Sequence, residues 1–170
     1  MTDLDARARD LLARSRRAVL ATTDTEGRPR LVPICYWPAP EPDAEGHPIL
    51  YSPLDEKPKA VADVRDLARV RDIMARPAVS LLVDRWDEDW DRLAWLRLEG
   101  QARLLEPDAG AEPEAGAEPE RNAGAPSGAE HAAAVAGLRG RYRQYRGHDL
   151  ASRPLIRIAI ERVRAWSAER

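Results

Sequence analysis

The sequence predicts a mainly β (α+β) fold: an antiparallel barrel of six strands with helices on its rims. Six short runs are alternating or densely apolar, as strands are. Helical stretches are few and separated, without the regular βα alternation of a parallel sheet. No glycine fingerprint of a dinucleotide fold or a P-loop is present. With 170 residues, 44% of them apolar, one domain can bury a core without disulfides or metals.

Residues 2–17 read as a helix. Thr2 and Asp5 have the spacing of a capping box, and Leu4, Ala8, Leu11 and Leu12 recur on one face. This helix is expected to lie across a barrel end. Residues 18–23 form the first strand, Asp24-Thr25-Glu26-Gly27 a turn, and residues 28–37 the second strand of a hairpin. Pro33 demotes that second strand to an edge or a bulge. A proline-rich loop, 38–46, leads to the third strand, 47–52. Residues 59–75 are expected to be helical, stopped by Pro77, with Val61, Val64, Leu67 and Ile73 inward.

The run 78–83 is nearly all apolar and is expected to be a fourth strand buried on both sides. An acidic, tryptophan-bearing turn, 84–92, precedes a long fifth strand, 93–105. There Leu96, Leu98 and Gly100 alternate with Arg97, Glu99 and Gln101. Residues 109–114 and 115–120 then repeat one hexapeptide, Ala-Gly-Ala-Glu-Pro-Glu, and a Gly/Pro/Ser tract runs on to Gly128. Such a stretch has nothing to bury, so the chain reads as a single domain, 1–170, with a disordered low-complexity insert at about 108–128. A helix over 130–145 follows. In the last strand, 155–166, Ile156, Ile158 and Ile160 face one way and Arg157 and Glu161 the other.

Composition excludes several functions. A net charge of -2 gives no general attraction to nucleic acid. No apolar run is long enough to span a membrane, and the amino terminus is charged and amphipathic, so a cytoplasmic protein is expected. The single cysteine, Cys35, reads as a small core residue. His47, His131 and His148 are too scattered for a triad or a metal set, and no metal is expected. The carboxylates Asp87, Glu88 and Asp89 read as a solvated turn. Of 27 basic residues only Lys57 and Lys59 are lysines, next to each other but for one proline and just past a strand-like run. They mark either a solvated turn or a place where compact ammonium groups meet an anion.

Several runs in order resemble a known family: Ala21-Thr22-Thr23-Asp24, Gly27 through Pro33, Tyr51-Ser52, Arg69 through Ile73 ahead of Arg76 through Leu81, and Leu98 through Ala102. Together they resemble the pyridoxamine 5'-phosphate oxidase-like split β-barrel, the FMN-binding split barrel type, over most of the chain apart from the insert. The Lys-Pro-Lys turn, Leu67 through Arg71, the acidic segment 84–90 and Arg153-Pro154-Leu155-Ile156 are similar to the actinobacterial branch of coenzyme F420-dependent oxidoreductases.

The resemblance implies a homodimer with two identical flavin or deazaflavin sites in clefts between barrels. It places the basic cofactor-phosphate residue eight positions before Pro77, at Arg69, where arginine replaces the usual lysine and offers a bidentate fork. Lys57 and Lys59 then belong to an extra turn that can reach a longer anionic tail. Cys35 stands where the oxidase itself carries another phosphate-binding lysine, which argues against pyridoxamine-phosphate oxidase activity.

A flat tricyclic ring, a polar ribityl chain and a phosphate need an apolar wall, hydroxyl partners and cations. Trp86, Trp95 and Trp166 are candidate walls, Tyr51 and Ser52 candidate chain contacts, and Arg30, Lys57, Lys59, Arg69 and Arg71 candidate cations. Hydride chemistry belongs to such a cofactor, so no side chain is required as a catalytic acid or nucleophile. The expected activity is F420-dependent oxidoreduction, with hydride passing between reduced deazaflavin and a small organic acceptor. The alternatives are an FMN-dependent oxidoreductase of the same fold and a non-catalytic flavin or deazaflavin carrier. A haem-binding split barrel is disfavoured, because no histidine occupies an obvious axial position.

Overall fold

The computed structural model describes residues 4–54, 63–107 and 127–168. Its elements are α1 (Ala6–Arg14), β1 (Ala18–Thr23), β2 (Pro29–Ile34), β3 (Trp37–Pro38), β4 (Ile49–Pro53), α2 (Ala68–Ala75), β5 (Ala78–Arg85), β6 (Ala94–Leu105), α3 (Ser127–Arg141) and β7 (Leu155–Ser167). The strands form one curled antiparallel sheet in the order β2-β1-β5-β6-β7-β4-β3. This is the antiparallel split barrel expected, with seven strands in place of six. The additional strand arises because the run 28–37 is broken after Ile34, and its last part pairs separately with β4 through Trp37 and Tyr51.

Strand alternation divides the sheet into two faces. Leu20, Leu81, Val83, Leu96, Leu98, Ile156, Ile158 and Ile160 point into the curl, where Ala8 and Leu12 of α1 and Val70 and Ile73 of α2 close its core. On the outer face, Ile49, Tyr51, Leu105 and Leu155 are covered by Ala134, Val135 and Leu138 of α3. Among the described residues, the outer face of β2, β1, β5 and the first half of β6 has no such cover. Leu31 is 70% exposed there, Leu82 41%, and Trp95 and Trp166 are also open. β5 is therefore buried on one face only, because α3 crosses the other end of the sheet; its burial alternates strictly through 78–84.

Local chemistry sets the boundaries. α1 starts at Ala6 because Asp5 is itself the N-cap, accepting from the Ala8 N–H at 2.7 Å; Thr2 lies outside the described residues. Of the helix expected over 59–75, residues 59–62 with Val61 lie outside the described residues; the rest is a short 3-10 turn, Val64–Asp66, then α2, separated by the extended Leu67. α3 starts at Ser127, inside the tract expected to be loop, and gives way after Arg141 to a 3-10 turn, Arg143–Gly147. Residues 108–126, which carry the repeat, lie outside the described residues. Two glycines permit close packing. A Cβ at Gly100 of β6, opposite the bulge that Glu161 makes in β7, would lie 1.9 Å from the Ala159 carbonyl oxygen, and one at Gly137 of α3 would lie 2.2 Å from the Trp37 ring.

Candidate functional site

The β1–β2 turn and α2 together build a knot of charge at one end of the barrel. Asp24 is buried and accepts from the backbone N–H groups of Glu26 and Arg28, both at 2.9 Å, from Arg28 Nε at 2.9 Å and from Arg30 Nη2 at 3.2 Å. The Arg28 backbone bond leads these in holding its carboxyl far below the ordinary value, against the opposing effect of burial. Asp72, buried on α2, accepts from Thr22 Oγ1 at 2.9 Å and lies 3.7 Å from Arg30 Nε. Arg30 therefore bridges two buried carboxylates, and its charge is compensated within the fold. Arg69 lies three residues before Asp72 on the same helix, close to its face, half-buried with Nε enclosed. Arg71 is exposed. Lys57 and Lys59 lie outside the described residues.

Tyr51 and Ser52 are neighbours on β4 and so point to opposite faces. Ser52 is buried. Tyr51 sits under α3, stacked on Trp37 at 5.7 Å and donating to Glu130 at 2.7 Å. Burial first, and then Glu130, push its phenol well above the ordinary range. Arg157 donates to the same Glu130 oxygen at 2.7 Å and to Asp43 at 3.2 Å, while Arg103 pairs with Glu130 at 3.6 Å. Burial opposes ionisation of Glu130, yet Tyr51 and Arg157 outweigh it and hold the carboxyl low. This network pins the first turn of α3 to the sheet, and one ligand chain cannot meet both Tyr51 and Ser52.

The tryptophans occupy the other end of the outer face. Trp95 and Trp166 stand directly opposite each other on β6 and β7 and line, with Ala6, Leu11 and Arg14 of α1, an open cleft of about 620 Å³. Trp86 and Trp90, on the acidic tip between β5 and β6, are 74% and 71% exposed. The far end of β6 is tied to the link after α2 through the Ala102 N–H, which donates to the Pro77 carbonyl at 2.8 Å. From Trp95 to Ala102 is seven steps of strand, roughly 23 Å at about 3.3 Å each. Within one chain, the candidate wall and the candidate cations are thus held apart.

The histidines are engaged locally. His131 Nε2 lies 2.8 Å from the Arg153 carbonyl oxygen, His148 packs edge-on against Tyr145, and His47 faces Asp43 at 3.6 Å. Asp43, Glu45 and His47 bring ligand-type atoms within 4.8 Å of one another, a grouping not read from the sequence, but Arg157 already supplies positive charge to Asp43. The knot in which the exposed Arg30 bridges the buried Asp24 and Asp72, beside buried Thr22, also escaped sequence reasoning. Its one local signal was Asp24 ahead of a Gly-containing turn, where an aspartate commonly caps the following backbone.

A family model described as pyridoxamine 5'-phosphate oxidase matches residues 4–167. No curated protein matches the sequence. Among solved structures, a conserved hypothetical protein of Mycobacterium tuberculosis is similar at TM-score 0.63 and 21% identity, covering 98% of this chain and 86% of its own. The heme storage protein HutZ of Vibrio cholerae is similar at TM-score 0.59 and 13% identity, over 96% and 94% of the two chains. An FAD-binding protein of Mesorhizobium loti is similar at TM-score 0.57 and 22% identity, over 95% and 94%. At these identities the structures share the fold, and the family match extends over nearly every described element. The chain belongs to the pyridoxamine 5'-phosphate oxidase family.

Proposed function

We propose that this chain binds a flavin or deazaflavin at the α2 end of the barrel and works as an F420-dependent oxidoreductase, passing hydride between reduced deazaflavin and a small organic acceptor. The observation that carries this reading is the donor set on α2. Arg69 is half-buried at a barrel end, Arg71 is exposed beside it, and Lys57 and Lys59 precede them in sequence. That set suits an anionic phosphate and a longer anionic tail. Arg30 steadies α2 through Asp72, and so positions Arg69 rather than meeting the ligand itself.

When bound, the cofactor supplies the hydride chemistry. Arg69 and Arg71 hold its phosphate, and the uncovered sheet face, once packed, excludes water from the ring. Because Trp95 and Trp166 lie roughly 20 Å along the strand from the α2 end of β6, we read the apolar wall near Arg69 as supplied by a second copy, in a homodimer with shared clefts. The same geometry serves the two alternatives, an FMN-dependent oxidoreductase and a non-catalytic flavin or deazaflavin carrier. Haem-binding proteins share the fold, but here each histidine is engaged at the α3-covered end of the sheet, His131 with the Arg153 carbonyl, His148 with Tyr145 and His47 with Asp43, and none lies on the uncovered face.

The test is an absorption titration of the protein with FMN and F420 separately. Arg69→Ala should weaken both about ten- to hundredfold, the loss of charge-assisted hydrogen bonds worth about 1.5–3 kcal/mol each. Lys57→Ala with Lys59→Ala should weaken F420 alone, and the difference should shrink with salt, because exposed ion pairs are screened over roughly 8–10 Å. Unchanged affinities in the Arg69 variant would remove α2 from the site.

A further inference from the structure

A second cleft lies between α1 and the proline-rich loop that joins β3 to β4. It holds about 580 Å³, a volume typical of small-molecule sites, and no residue of α2 or of the uncovered sheet face lines it. Arg9, Leu12 and Ala13 recur on one face of α1 and make one wall. The other wall is lined by proline: Pro38 at the end of β3, then Pro40, Pro42 and Pro48 of the loop. The buried Ile49 and Leu50 of β4 complete it.

The loop is pinned at both ends. Its stem continues the β3–β4 ladder, where the Ala39 N–H donates to the Ile49 carbonyl at 2.8 Å. Its tip is closed by the Asp43 N–H, which donates to the His47 carbonyl at 3.0 Å, and by Gly46 at φ 84°. Arg157 of β7 then ties Asp43 to the sheet at 3.2 Å, with both side chains nearly buried. A wall fixed in this way is preformed, so a ligand need not order it on binding.

The lining also states what it can take. Arg9 is its one cationic side chain and Glu41 its one anionic side chain, and the four prolines bring no N–H donor. A guanidinium suits a carboxylate, while Glu41 on the other wall limits the ligand to a single negative charge. Proline and aromatic rings are complementary surfaces, as in the docking of proline-rich segments into aromatic grooves, and no aromatic side chain of the described residues lines this cleft. We propose that the cleft binds a small aromatic monocarboxylate, its ring against the prolines and its carboxylate on Arg9. The site is separate from α2, and the inference does not depend on the cofactor reading.

Isothermal titration with naphthylacetate, the uncharged naphthylethanol and the doubly charged naphthalenediacetate tests it. One naphthylacetate should bind per chain, and the diacetate more weakly. Ala13 and Arg9 are both exposed on α1, where substitutions usually leave a fold intact. Ala13→Trp sets an indole in the cleft and should weaken naphthylacetate about tenfold or more. Arg9→Gln should weaken naphthylacetate about tenfold while leaving naphthylethanol within about twofold of wild type. No binding of naphthylacetate at millimolar concentration overturns the site, and so does binding that Ala13→Trp leaves intact. Equal losses of acid and alcohol in the Arg9 variant, or tighter binding of the diacetate, would overturn the assignment of a monoanion held by Arg9; the Arg9 variant decides this even if Ala13→Trp does not fold.

Discussion

Asp24, at the head of the β1–β2 turn, couples local geometry to pH. Its folded carboxyl titrates below the ordinary value of 3.8, so it stabilises the fold above that value and the contribution is lost as pH falls through the lower, folded one. Asp24→Asn should accordingly be less stable than wild type at pH 7, with the gap closing as the pH drops below about 3.8. Thermal melts of the pair at pH 7 and pH 3 check this, and an equal gap at both would assign the loss to shape rather than charge. Gly100 gives a steric counterpart. Its substitution by Ala forces a methyl against the Ala159 carbonyl, and urea denaturation should show a loss of about 1–3 kcal/mol or more. At this scale the sequence was least legible. Arg30 has the composition of a ligand cation, and only folding shows that Asp24 and Asp72, six positions before it and 42 after, take its charge. Arg69 could be located by counting from Pro77, but nothing in the sequence shows that its Nε is enclosed.

The elements were far more legible than the residues, because a two-residue period over a half-buried sheet leaves a direct trace in polarity. β1 lies where expected, and β5, β6 and β7 differ from expectation by two residues at most. Misreadings fell where tertiary contacts end or break an element. β3 is a two-residue strand held by Tyr51, and α2 is shortened by the extended Leu67. The seating of α1 was equally invisible, since it depends on a residue more than a hundred positions away. Arg141 of α3 donates through Nη2 to the Leu12 carbonyl at 3.2 Å and to the Ser15 carbonyl, with its guanidinium 5.1 Å from the centre of the Tyr36 ring. A cation on the last carbonyls of a helix satisfies acceptors that the helix itself leaves open. Arg141→Ala should cost about 1.5–3 kcal/mol, and Arg141→Lys less, because it keeps the charge but not the fork. Hydrogen exchange should show the loss as faster exchange of α1 amides; unchanged α1 protection would mean that apolar packing of Leu4, Ala8 and Leu12 alone seats the helix.

For the molecule as a whole, the described residues leave part of one sheet face open. The curl is filled by α1 and α2, α3 covers β4 and the adjoining half of β7, and the remaining outer face leaves Leu31, Leu82, Trp95 and Trp166 open between Arg97, Arg162 and Arg164. Leu82 lies midway along β5, directly opposite Arg97, on the uncovered face. Leu82→Arg is therefore a selective probe. In a lone chain it replaces one exposed side chain by another, an exchange usually worth within about 0.5 kcal/mol. In a dimer packed through this face it sets a new positive charge beside Arg97 of each copy, in a setting from which water is being removed. Wild type should sediment near twice the 19.0 kDa chain mass, and the variant near 19.0 kDa with its circular dichroism intact. If the cleft is shared between copies as proposed, the monomeric variant should also bind FMN and F420 more weakly although every residue of its own α2 is in place. A variant that stays dimeric would move the interface off this face, and a folded monomer that binds both cofactors as wild type does would confine the site to a single barrel.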